Sequence, residues 1–250
     1  VEAEKLYRRV LEIRKPNAPE DKSTLIGMNN LGIFLSKRKR YVEAEELFRS
    51  VLEIKQRKLK NDDPSILTSM ANLGRLLNKT GQKNEAEDLL KRALDERERT
   101  RGPVHPSTLT SVHDFAVLLA TKKDYSAAKQ YFERALEARK SAHGKDHPYT
   151  LNTLHHFAAM LRDSNNVAAA KELYRSALEG RERQLGRDHP DTCETAYSLA
   201  LLLKEEGQEA EAYKLAQQAY EGLLRMVGPA DEDTSKAERL VRELRAKRAE

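Results

Sequence analysis

The sequence predicts an all-α fold, a solenoid of antiparallel helix pairs, and three observations support that prediction. The first is a repeat. Pro64, Pro106, Pro148 and Pro190 recur every 42 residues, and Gly102, Gly144, Gly186 and Gly228 keep the same spacing. Gly-x-x-His-Pro is thereby written three times, and Thr24, Thr108, Thr150, Thr192 and Thr234 lie on the same grid, with Ile66 standing in once. The second is that apolar and small residues within each period fall at i, i+3, i+4 and i+7, the spacing of one helical face and not of a strand. The third is composition: 34% charged residues, 6% aromatics and no Trp, the profile of long helices rather than sheets.

Each period divides into two helices. The first begins at the proline, which suits a first turn because its missing N–H would have no partner there. It runs to about residue 121 in the third period and carries a leucine column, Leu35, Leu77, Leu119, Leu161 and Leu203. Beside it runs a column of the smallest residues, Gly32, Gly74, Ala116, Ala158 and Ala200. Gly81, Asn165 and Gly207 then share the left-handed position that ends a helix. Lys39 and Lys123 stand there in the other two periods, which predicts strained or differently shaped turns.

The second helix, 125–143 for example, carries Ala44, Ala86, Ala128, Ala170 and Ala212. Four residues on stand Phe48, Leu90, Phe132 and Tyr174, with Ala216 departing. Small columns let two backbones approach, and the bulky columns fill the seam between them. The resulting helix pairs are 23–58, 65–101, 107–143, 149–185 and 191–227, within a single domain 1–250. Residues 1–14 match a lone second helix through Ala3, Tyr7 and Val10, so the chain reads as a segment of a longer array. Residues 233–248 read as a capping helix, because Arg242 falls in the small column and Arg245 in the leucine column.

Composition also narrows function. No stretch approaches the ~20 apolar residues of a membrane span, and the first residues lack a signal-peptide pattern. A single cysteine, Cys193, excludes an internal disulfide framework and fits a reducing, cytoplasmic setting. The net charge of +5 is concentrated in residues 1–60, where 15 Lys/Arg face 9 Asp/Glu. The run Lys37-Arg38-Lys39-Arg40 raises nucleic-acid binding as an alternative, against which Glu43, Glu45 and Glu46 would repel phosphate.

Leu-Gly or Phe-Ala in the first helix and Ala-x3-Phe-x2-Ala in the second resemble the tetratricopeptide-repeat (TPR) family. The 42-residue period and segments such as Gly186-Arg187-Asp188-His189-Pro190-Asp191-Thr192 are similar to kinesin light chains and to the arrays of NLR-like proteins. That resemblance implies a right-handed superhelix of about 12 helices. It also implies a non-catalytic scaffold or adaptor whose first helices line a concave groove for a peptide or protein, or alternatively the sensing array of an NLR-like protein. Carried over position by position, the groove candidates are Asn29, Asn30 and Ile33, then Asn72 and Arg75, then His113 and Asp114. Asn152, His155, His156 and Arg162 follow, and then Tyr197 beside Ser198.

An Asn carboxamide suits the task, since it offers both a donor and an acceptor to a ligand backbone. Met28-Asn29-Asn30-Leu31 resembles the Asn-Asn-Leu of kinesin light chains, whereas residues 112–115, 154–157 and 196–199 depart from it. The candidates lean basic, which favours an acidic or neutral ligand. His113, His155 and His156 form no recognisable metal set, and no cofactor is implied. His105, His147 and His189 are spaced along the solenoid and read as helix caps and turn residues. Cys193 reads as a buried, inert thiol. No phosphate loop, dinucleotide fingerprint or nucleophilic triad appears.

Overall fold

A computed structural model describes residues 4–6, 8, 9, 11, 12, 18, 20–60 and 62–247. Ala3, Tyr7 and Val10, on which the expected lone helix rests, and residue 248 lie outside the described residues. The chain divides into two compact units, Val1–Asp124 and Tyr125–Glu250. The first holds α1 (Lys22–Lys37), α2 (Tyr41–Lys58), α3 (Pro64–Thr80), α4 (Lys83–Arg101) and α5 (Pro106–Thr121). The second holds α6 (Tyr125–His143), α7 (Pro148–Asp163), α8 (Val167–Leu185), α9 (Pro190–Glu205), α10 (Glu209–Met226) and α11 (Glu232–Lys247). No strand occurs among the described residues.

Within each unit every helix packs on the next. The first helices of successive repeats also touch: α1 with α3 and α3 with α5 in one unit, α7 with α9 and α9 with α11 in the other. The sequence columns explain this packing. All five residues of the second-helix alanine column are fully buried, and Phe48, Leu90, Phe132 and Tyr174 are buried with them. The small column is small because these rings and leucines sit on it. A Cβ added at Gly32 would lie 2.7 Å from the Phe48 ring, and one at Gly74 would lie 2.7 Å from Leu90 Cγ. Where the column is Ala158 instead, Phe132 stacks on Phe157 with ring centroids 5.3 Å apart. Burying such a ring contributes roughly 2–3 kcal/mol.

The turns between paired helices are also uniform. In all five the residue after the left-handed position donates its N–H to the leucine-column carbonyl, as Gln82 does to Leu77 at 2.9 Å and Asn166 to Leu161 at 2.8 Å. Of the two outcomes expected at Lys39 and Lys123, strain or a different shape, the turns show the first: both adopt the left-handed conformation, with φ of 60° and 66° against 64° at Asn165. The hydrogen-bonded cap is thus retained in spite of the Cβ penalty. At the other end α11 buries Thr234, Ala237, Leu240 and Leu244, while Arg242 and Arg245 are exposed, so its outer face is charged.

Candidate binding face on the first helices

In the first unit the first helices are joined by polar side chains. Asn72 is buried, and its Nδ2 donates to Asn29 Oδ1 of α1 at 2.6 Å. Arg75, one turn further along α3, donates to Asn72 Oδ1 and, at 3.2 Å, to Asp114 Oδ2 of α5. A ladder Asn29–Asn72–Arg75–Asp114 therefore crosses three first helices, and two of its members, Asn72 and Asp114, are almost inaccessible. His113 is likewise buried. Asn29, Asn30 and Ile33 are half-buried and Arg75 is exposed, so these four keep accessible surface.

The second unit uses different chemistry. His155 is buried on α7, its Nδ1 lies 3.3 Å from Thr195 Oγ1, and its ring stands edge-on to His156 and to Tyr174. Desolvation, helped by the nearby Arg181 and Arg162 charges, pushes the imidazole down to about 3, so it is neutral at physiological pH. Burial pushes the Tyr174 phenol up to about 12, which keeps that hydroxyl protonated beside Ser198. Arg162 is committed to Asp163 at 2.8 Å. Asn152, His156 and Tyr197 are half-buried and face outward in part.

Behind both faces runs a basic column, half-buried at its first member and buried at the other three, that reading the helices one at a time does not reveal. Lys55, Arg97, Arg139 and Arg181 recur every 42 residues on the second helices. Each donates to a hydroxyl 14 residues on: Ser69 at 2.9 Å, Ser111 at 2.7 Å, Thr153 at 2.6 Å and Thr195 at 2.6 Å. Each also donates to a carbonyl in the first turn of the next first helix, namely Ser65, Ser107, Tyr149 or Asp191. Arg97 and Arg181 reach back as well to their own repeat's first helix, at Thr68 Oγ1 and Asn152 Oδ1. Where the base ends, the hydroxyl ends too: the next members of the two columns are Leu223 and Ala237, both buried. This paired change is the sequence signal that identifies the column as one interaction. It is a positioning device, since a charge buried without its acceptors would be strongly destabilising.

Among the described residues no three metal-ligating side chains come together. No helix of the described residues is long and apolar enough to cross a membrane. Cys193 is fully buried, its Sγ faces the Arg187 carbonyl at 3.5 Å, and burial pushes its thiol up to about 11, far from a reactive thiolate.

With paired helices, small-against-bulky seams and left-handed turns in place, comparison with known proteins gives a clear answer. The tetratricopeptide repeat profile matches residues 23–97, 84–141, 112–183 and 149–225. The chain belongs to the tetratricopeptide repeat family. No curated protein sequence matches it. Among solved structures it is similar to a putative kinesin light chain with nearly identical TPR-like repeats from Podosopora anserina. That likeness is at 26% identity and TM-score 0.63, covering 81% of this chain and 96% of that one. It is also similar to BtubC from P. vanneervenii at 18% identity and TM-score 0.68, covering 92% of each chain. NprR, solved in complex with its cognate peptide NprX, matches at 16% identity and TM-score 0.73, covering 96% of this chain and 65% of NprR. The last two establish the likeness of fold alone.

Proposed function

We propose that this TPR chain is a non-catalytic protein-interaction module that takes a peptide or a protein segment against its first helices, in a scaffold or adaptor role. The observation that carries the reading is the half-exposed polar and apolar side chains on the first helices of each unit, Asn30 and Ile33 in the first and Asn152, His156 and Tyr197 in the second. NprR, bound to a peptide in its own structure, has the same fold and adds support. The electrostatics favour the neutral end of the expected acidic-or-neutral range. Arg75 is paired with Asp114, Arg162 with Asp163, and His155 is uncharged. The remaining donors and acceptors suit a ligand's backbone and uncharged side chains better than a run of carboxylates.

The test is peptide selection on the purified chain by phage display, followed by titration of the recovered sequence against Asn30→Ala, His156→Ala and Tyr197→Ala. A recurrent short motif that loses about threefold to tenfold in affinity with these variants is the expected result. A motif bound equally well by all three would place the contact elsewhere and overturn the assignment of this face.

A further inference from the structure

The residues that open the first helices form one column with two chemistries. Asp21, Asp63, His105, His147, His189 and Asp231 are spaced by 42 residues and act alike. Each side chain accepts the backbone N–H two residues on. The aspartates do so with an oxygen, toward Ser23 at 2.9 Å, Ser65 at 2.8 Å and Asp233 at 2.9 Å. The histidines do so with Nδ1, toward Ser107 at 3.1 Å, Tyr149 at 3.2 Å and Asp191 at 3.2 Å. A ring nitrogen accepts only through its lone pair, so this bond exists only while the imidazole is neutral and protonated on Nε2. A protonated ring loses the acceptor and also places a positive charge at the positive end of the helix.

We infer that these three histidine caps form an acid-sensitive device that loosens the starts of α5, α7 and α9 in mild acid while the aspartate-capped helices α1, α3 and α11 hold. The inference is about the fold itself and does not depend on any ligand. The three rings differ in their surroundings. Arg101 Nη1 lies 3.4 Å from His105 Nε2. His147 stacks on His143 of α6 with centroids 4.5 Å apart and has Arg139 of α6 nearby, while the adjacent Asp146 is already paired with Arg183 of α8. Burial and those neighbours lower the His147 imidazole below its ordinary value. At His189 the Asp191 carboxylate lies 4.0 Å from Nδ1, while the neighbouring Asp188 and Arg187 are engaged by Arg225 of α10 and by Glu182 of α8.

The sign follows from linkage. A cap that must stay neutral to be made is fully present above the unfolded histidine value, ~6.5, and its contribution falls as pH drops below it; a carboxylate accepts through its oxygens while ionised and so needs no neutral ring. The experiment compares melting of the whole chain at pH 7.5 and pH 5.5 with the triple variant H105D/H147D/H189D, which extends the existing aspartate column. His155, also acid-sensitive, is retained in both proteins and cancels. The wild type should lose on the order of 5 °C more than the variant between the two pH values. Equal losses would overturn the proposal. The triple His→Asn variant, whose carboxamide caps at any pH, serves the same comparison should added carboxylates near Asp188 and Asp191 prevent folding. Amide hydrogen exchange on the unaltered chain gives an independent decision. Protection of the Ser107 and Tyr149 amides should fall between pH 7.5 and 5.5 relative to Ser65 and Asp233, and unchanged relative protection would refute the device.

Discussion

In residues 1–124 the row of first helices is ionised and internally paired, whereas in residues 125–250 its central group is a histidine kept neutral by burial. Arg75 and Asp114 form an ion pair between α3 and α5, with Asn72 and Asn29 completing the ladder. His155, Tyr174 and Thr195 form the counterpart in the second unit, and there the low-dielectric surroundings suppress the charge. The same backbone thus arrives at a nearly neutral face by pairing in one unit and by desolvation in the other. The difference is one of robustness: ion pairs at a half-exposed face respond to salt, a buried imidazole responds to pH.

The largest contrast should come from the basic column beneath these faces. Arg181→Leu removes the donor to Thr195, Asp191 and Asn152, and should lower stability by about 2–3 kcal/mol in urea denaturation. Lys55→Leu, from a half-exposed lysine whose charged form burial already disfavours, should cost only about 1 kcal/mol. The double variant Arg181→Leu with Thr195→Ala copies the Leu223 and Ala237 found in the last repeat and should recover at least about 1 kcal/mol of the loss. Additive losses in that double variant would mean that the two columns do not act as one interaction.

Next in size is the pH response of His155. Its value in the folded chain, about 3, lies below the unfolded ~6.5, so its stabilisation is complete above that upper value and is lost as pH falls. By pH 5 the second unit should have lost about 2 kcal/mol on this account, and His155→Asn should flatten the profile by that amount. A side-chain NMR titration with a midpoint near 6 would contradict the neutral-by-burial account. In the first unit, Arg75→Gln should cost about 1 kcal/mol, because Asp114 is buried and loses a charge-assisted donor. The same change at Arg162, whose partner Asp163 is half-exposed, should stay within about 0.5 kcal/mol.

Much of this fold was legible because a repeat multiplies each signal. A single Gly32 means little, but Gly32, Gly74, Ala116, Ala158 and Ala200 against Phe48, Leu90, Phe132 and Tyr174 specify a close seam at every pair. The candidate binding face was harder to read. Helix periodicity places Asn72, His113 and His155 on the first helices yet cannot say that neighbouring helices cover them, which depends on side chains 40 or more residues away. The basic column illustrates the opposite error. Lys55, Arg97, Arg139 and Arg181 look like solvated charges when each helix is read alone. Only their common period with Ser69, Ser111, Thr153 and Thr195 reveals that they are donors to those hydroxyls.

The turns give the smallest test of the contrast between units. Lys123 closes the α5 turn at φ 66° and Asn165 closes the α7 turn at φ 64°, with the same cap hydrogen bond in each. A lysine pays the left-handed penalty of ~1–2 kcal/mol, whereas Asn visits that region readily. Glycine relieves the strain but adds freedom to the unfolded chain, which offsets roughly half of the gain. Lys123→Gly should therefore raise stability by about 0.5–1 kcal/mol, and Asn165→Gly should leave it within about 0.3 kcal/mol. Thermal melts of the two variants against the parent decide the matter. Equal shifts would show that the lysine turn carries no more strain than the asparagine turn. A gain only at Lys123 would show that the cap's hydrogen bond, not the identity of the residue, dictates the turn in both units.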